Sequence, residues 1–191
     1  MNNKVALCAF ADEADKLIVN QIDALKGNRI DFLEIRGVDG TNIADITIEK
    51  AKELKELFDK NDIKVWSIGS PIGKCKISDD FSIELARFKH VLEIARILDA
   101  KNIRIFSFYG TEGKEEFKDE VISRLKEFAL LAKDTGITLC HENEKDIFGE
   151  QAENCLATPP PCSENALIIS PSLPIPSPAT TFLPSASASL I

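Results

Sequence analysis

Five short β-rich runs recur along the chain at intervals that leave room for one helix between each pair, and this spacing constrains the fold more than any other feature. The runs are KVALCAF (4–10), IDFLEIR (30–36), IKVWSIG (63–69), NIRIFSF (102–108) and ITLCHEN (137–143). Each of the first four is followed by a stretch with helical spacing. In the second stretch Ile48, Ala51, Leu54 and Phe58 share a face. In the third Leu85, Phe88, Leu92 and Ala95 do, and in the fourth Phe117, Val121, Leu125, Phe128 and Ala132 do. Strands alternating with amphipathic helices predict right-handed βαβ units and a parallel sheet. The runs begin 26, 33, 39 and 35 residues apart. At that spacing eight units would need roughly 265 residues, close to the about 250 of a (β/α)8 barrel. Five strands are therefore expected of an incomplete α/β barrel of this type, occupying residues 1–157.

The last 34 residues, from Thr158, are of another kind. They hold eight of the nine prolines, seven serines and one charge, Glu164, while all nine glycines and all 23 basic residues lie earlier. Each proline removes a backbone donor and restricts the residue before it, so 158–191 is expected to be irregular or disordered and to lie outside the barrel. A proline-rich peptide ligand lacks the flanking basic residues that orient such motifs, and a frameshift in the coding DNA would give the same abrupt change of composition.

Charge and cysteine usage narrow the function classes. A formal charge of −8 disfavours a partner that presents phosphate along a backbone, so no nucleic-acid partner is expected. No apolar run approaches membrane-spanning length, and acidic residues follow the start too soon for a signal-peptide core; no membrane partner and a cytoplasmic place are expected. Cys8, Cys75, Cys140, Cys155 and Cys162 are odd in number and form no C-x-x-C pair, which indicates reduced thiols rather than a disulfide framework or zinc knuckle.

No G-x-G-x-x-G follows any strand, so a dinucleotide site is not indicated. Gly69 to Cys75 has the look of a phosphate-binding loop but is one residue short between its glycines, with Cys75 where a hydroxyl is required. The strand ends are instead polar: Glu34 and Arg36 on the second, Ser70 and Lys74 after the third, Ser107 and Tyr109 on the fourth, His141, Glu142, Glu144 and Lys145 on the fifth. In a parallel barrel those ends converge on one face, where catalytic groups are carried. Glu142 emerges directly from ITLC, where a carboxylate needs a cation or hydrogen-bond partner, and is read as a metal ligand in preference to a salt-bridge partner. Glu34 and Arg36 pairing with each other, and Lys74 and Lys145 as plain surface charges, are the structural alternatives. His90 is read as a helix-flank residue without chemistry.

AFADE (9–13), FLEIRGVDGTNI (32–43), SIGSPIGK (67–74), IRIFSFY (103–109) and LCHENEKDIFGE (139–150) together resemble the xylose isomerase-like (β/α)8 family of sugar phosphate isomerases and epimerases over about residues 4–157. The resemblance implies metal-assisted proton transfer next to the carbonyl of a small sugar or sugar phosphate, with Mn, Mg or Co held by a Glu after strand five, an Asp after strand six, a His after strand seven and a Glu after strand eight. Glu142 matches the first of these as metal ligand and catalytic group, and Glu34, Arg36, Ser70, Lys74, His141 and Lys145 are the candidate substrate-binding residues. The other three ligands have no counterpart, so the chain is expected to have lost strands six to eight, not to retain the metal and to be impaired in catalysis. Self-association through open barrel edges is expected to follow. The alternatives are a non-catalytic fragment of such a barrel and, on the same barrel type, an apurinic-site endonuclease, which two histidines and the negative charge disfavour.

Overall fold

The computed structural model describes residues 6–112, 114–156, 168–170 and 188–190. In chain order the elements are β1 (Leu7–Ala9), α1 (Ile18–Gly27), β2 (Phe32–Ile35), β3 (Gly37–Val38), β4 (Thr41–Asn42), α2 (Ile48–Lys60), β5 (Lys64–Ile68), α3 (Phe81–Ile97), β6 (Asn102–Ile105), α4 (Lys118–Ala132), β7 (Thr138–Glu142), α5 (Ala152–Leu156), β8 (Ile168–Ser170) and β9 (Ala188–Leu190). The five expected strands are β1, β2, β5, β6 and β7. They pair in parallel in that order, as successive βαβ units must.

The helix-to-strand turns repeat one device. After α1, α2 and α3 the second residue past the helix, Arg29, Asp62 and Asp99, adopts a left-handed conformation with φ of 58°, 58° and 55°. The next residue then donates its N–H back to a carbonyl five residues earlier: Ile30 to Leu25, Ile63 to Phe58, Ala100 to Ala95. This Schellman closure satisfies the last helical carbonyls and aims the chain into the following strand. At the other end Thr47 caps α2 through Lys50 N and Asp80 caps α3 through Ser82 N.

The predicted helix faces are the buried ones. Ala51, Leu54 and Phe58 of α2, Phe88, Leu92 and Ala95 of α3, and Val121, Leu125, Phe128 and Ala132 of α4 pack on Leu33, Ile35, Val65, Ile103, Ile105 and Leu139 of the sheet in one core cluster. Ile48, Leu85 and Phe117 flank it, half-buried. Phe88 and Phe128 meet at a tilt of 50° with centroids 4.7 Å apart, and Phe81 and Phe108 complete an aromatic group with Phe128. His90 bonds the Ile46 carbonyl at 2.8 Å.

Two features depart from the sequence reading. Asp39 and Gly40, both at positive φ, turn β3 into β4, a small hairpin of the kind an Asp-Gly pair favours. At the sheet edges, β8 pairs in parallel with β7 and β9 antiparallel with β1, giving the order β8-β7-β6-β5-β2-β1-β9. Six residues of 158–191 thus join the sheet, and β1 and β7 are not its free edges; the rest of that segment, with Cys162 and Glu164, lies outside the described residues. Burial pushes the thiol pKa of Cys8, Cys75, Cys140 and Cys155 up to about 11. Among the described residues no helix is long and apolar enough to cross a membrane.

Candidate functional site

Strand alternation sorts the strand residues onto two faces. Leu33, Ile35, Ile103, Ile105, Leu139 and His141 point into the helix layer. Phe32, Glu34, Asn102, Arg104, Cys140 and Glu142 occupy the opposite face, where Cys140 Sγ reaches Asn102 and Phe32 meets Trp66 edge-on. The carboxyl ends of β1, β2, β5 and β6 open into a cleft of about 530 Å³ lined by Asp12, Lys16, Arg36, Gly69, Lys74 and Arg104 among others.

Arg104 organises its floor. Its Nη1 stands 3.2 Å from Glu142 and 3.6 Å from Glu34, and its Nη2 donates to the Gly69 carbonyl at 3.3 Å. The guanidinium stands 5.8 Å from the centre of the Phe10 ring and 5.3 Å from that of Phe106, and its Nε is buried without a hydrogen-bond partner. Burial raises the pKa of Glu34; the Arg104 charge opposes that rise, while the Glu142 carboxylate adds to it.

Two further charge groups stand at the rim. Arg36 pairs with Asp12 at 2.9 Å and Glu13 at 2.5 Å, with its guanidinium 4.3 Å above the Phe10 ring. Lys74 Nζ sits 2.6 Å from Glu144 Oε2 and 4.2 Å above the centre of the Phe106 ring, while Tyr109 donates its hydroxyl to Glu144 Oε1 at 3.3 Å. The loop carrying Lys74 is fixed like a strand along the next one: Phe106 N bonds Ile72 O, Phe108 N bonds Gly73 O and Tyr109 N bonds Cys75 O. Gly73 is required there, since it has φ +85° and a Cβ would run into the Phe106 carbonyl. At Gly69 a Cβ would strike the Arg36 side chain. The two glycines serve these close approaches rather than a phosphate cradle.

The candidate residues divide accordingly. Arg36 and Lys74 line the cleft, and Glu34 and Glu142 flank Arg104 beside it, Glu142 one third exposed. Glu34 and Arg36 do not pair with each other. Ser70 is buried, its hydroxyl donating to the Arg104 carbonyl and accepting from Ile72 N, so it fastens the loop. His141 is fully buried on the helix side against Gly149, with neither ring nitrogen hydrogen-bonded, and burial drops its pKa to about 4. Lys145 is exposed on the loop after β7. Arg104 was missed, although a lone cation inside NIRIF is a signal that carboxylates must meet it.

A divalent ion does not fit this arrangement. Among the described residues no three His, Cys, Asp or Glu side chains converge as such an ion requires, and Glu142 faces a guanidinium.

Comparison with known proteins places the fold. No curated protein matches the sequence. A D-tagatose 3-epimerase-like protein superposes with a TM-score of 0.66 at 18% identity, over 85% of this chain and 62% of its own. A probable 3-DHS dehydratase, AsbF, involved in petrobactin synthesis in Bacillus anthracis, gives 0.63 at 13% over 81% and 57%. The IOLI protein with a bound zinc atom gives 0.62 at 16% over 78% and 56%. The chain thus spans about three fifths of the length of these structures. At such identities they speak for the fold, and the barrel they share, of which five consecutive parallel strands are seen here, agrees with the incomplete barrel expected from the strand spacing. A family model for the xylose isomerase-like TIM barrel matches residues 22–157, and the chain belongs to that family.

Proposed function

We propose that the chain carries the substrate-binding part of a sugar isomerase or epimerase site, acting on a small sugar or sugar phosphate in the cytoplasm, with Glu142 as its proton-transferring carboxylate and with catalysis impaired. The observation that carries this reading is the group Glu34, Arg104 and Glu142 beside the cleft, two carboxylates on one guanidinium at the carboxyl ends of parallel strands. Such alternating acceptors and donors match the vicinal hydroxyls of a sugar, each of which both donates and accepts. Isomerisation removes a proton from the carbon beside the carbonyl. Glu142 as a carboxylate would receive it, and the electron pair left behind would develop as enediolate charge within reach of Arg104. Of the ligand set that the resemblance implies, Glu142 lies among the described residues, and no step is routed through a metal.

A second reading, a non-catalytic member of the family, is favoured by the 3.2 Å contact that already commits Glu142 to Arg104. Saturation-transfer NMR with a panel of free and phosphorylated ketoses, followed by deuterium incorporation from D₂O with and without Mn²⁺, separates the two. We expect ketose binding with exchange near the buffer rate. Fast exchange abolished by Glu142→Gln would show that the site turns over. Binding of no ketose at all would sink the sugar-site reading.

A further inference from the structure

Four cations line or floor the cleft, and three are already neutralised: Arg36 by Asp12 and Glu13, Arg104 by Glu142 and Glu34, and Lys74 by Glu144. Lys16, exposed at the mouth, is the one cleft cation without an ion pair among the described residues. Inside the mouth marked by Lys16, a phosphate dianion would meet three cations whose charge is spent and carboxylates that repel it, whereas an uncharged polyol loses nothing by either.

These neutralised cations are not equivalent. Arg36 and Arg104 each meet two carboxylates, so no single change would unmask them. Lys74 meets one, and that one is held in place: Glu144 Oε2 takes the Lys74 ammonium at 2.6 Å while Oε1 accepts from Tyr109, and the Phe106 ring backs the ammonium at 4.2 Å. The four groups come from the loops after β5, β6 and β7, with Phe106 and Tyr109 both after β6, so the contact depends on the sheet order rather than on local sequence.

We infer that Glu144 is a specificity-determining residue, which occupies Lys74 and so tunes the cleft to an uncharged sugar over its phosphate ester, with Tyr109 as the residue that positions it. This rests on the reading of the cleft as a sugar site. The test measures binding of D-fructose, D-fructose 1-phosphate and inorganic phosphate to the wild-type chain, Glu144→Gln, Tyr109→Phe and the double variant Glu144→Gln with Lys74→Met, each checked by circular dichroism for an unchanged fold. The wild type should bind the ester no more tightly than the free sugar. Glu144→Gln should raise ester affinity about tenfold, leave fructose unchanged, and lose the gain in about 0.5 M salt and in the double variant. Tyr109→Phe should show a smaller gain of the same sign. A wild type that prefers the ester, or a folded Glu144→Gln with an unchanged preference, would overturn the inference. If neither sugar binds any variant, the sugar-site reading fails, and inorganic phosphate still decides the masking of Lys74: phosphate bound by Glu144→Gln and not by the wild type supports it, and equal behaviour refutes it.

Discussion

The two faces of the parallel sheet are built on opposite principles. On the helix side Leu33, Ile35, Ile103, Ile105 and Leu139 meet apolar helix stripes, and the one polar intruder at the end of β7, His141, is neutral and unpartnered. On the other side Glu34, Arg104 and Glu142 interrupt the same strands with charges that satisfy one another across three of them. The first face is held by area removed from water, which needs no particular partner. The second is held by geometry, because each charge is tolerable only where its partner stands. A change on the first face should therefore cost stability in proportion to volume, and a change on the second according to what is left unpaired.

The largest effect is expected from breaking the helix side. Phe128→Ala removes the ring shared by Phe81, Phe88 and Phe108 and should cost about 3–5 kcal/mol by urea denaturation. A loss below about 1 kcal/mol would mean that this aromatic group is not the core.

His141 tests the same face by pH. Its folded pKa of about 4 lies below the ordinary 6.5, so the unfolded chain binds the proton first as pH falls. Stability should drop through the window from 6.5 to 4, by about 3 kcal/mol in all, and be retained above it. Glu34 works in the opposite sense, since its raised pKa favours the protonated form in the fold. His141→Leu should flatten the His-dependent part of the profile; an unaltered profile would show that another group carries it.

On the charged face, Arg104→Met should cost about 2 kcal/mol, discounted for partial exposure, by leaving Glu34 and Glu142 to repel each other. Adding Glu34→Gln and Glu142→Gln should recover most of that loss. A triple variant no more stable than the single one would mean that Arg104 acts through its packing on Phe10 and Phe106 instead. The smallest effect belongs to neither face: Lys55→Ala, which removes the surface pairs to Asp59 and Asp99, should change stability by less than about 0.5 kcal/mol.

How much of this was legible follows the same division. The β-rich runs and helix stripes place β1, β2, β5, β6, β7 and their helices because those patterns are local, set by a period of two or near four residues against one apolar layer. The position of His141 was also within reach: it shares parity with Leu139, so it cannot face the same side as Glu142 while both remain in β7. The Asp39-Gly40 hairpin carried its own turn signal. The partner of Glu142, in contrast, is 38 residues away on the neighbouring strand, and nothing in NIRIF alone says which carboxylates its arginine will meet.

By itself, then, the amino-acid order determined the alternation of strand and helix, the parallel sheet and the apolar side of each element, since these arise from interactions within a few residues and a non-directional drive to bury area. Only the tertiary structure decided that Arg104 stands between Glu34 and Glu142, that Glu144 occupies Lys74, and that β8 and β9 cover the strands expected at the edges. Those contacts join residues from different units, and charge pairing and backbone pairing act only at contact distance, which the packing of whole elements sets.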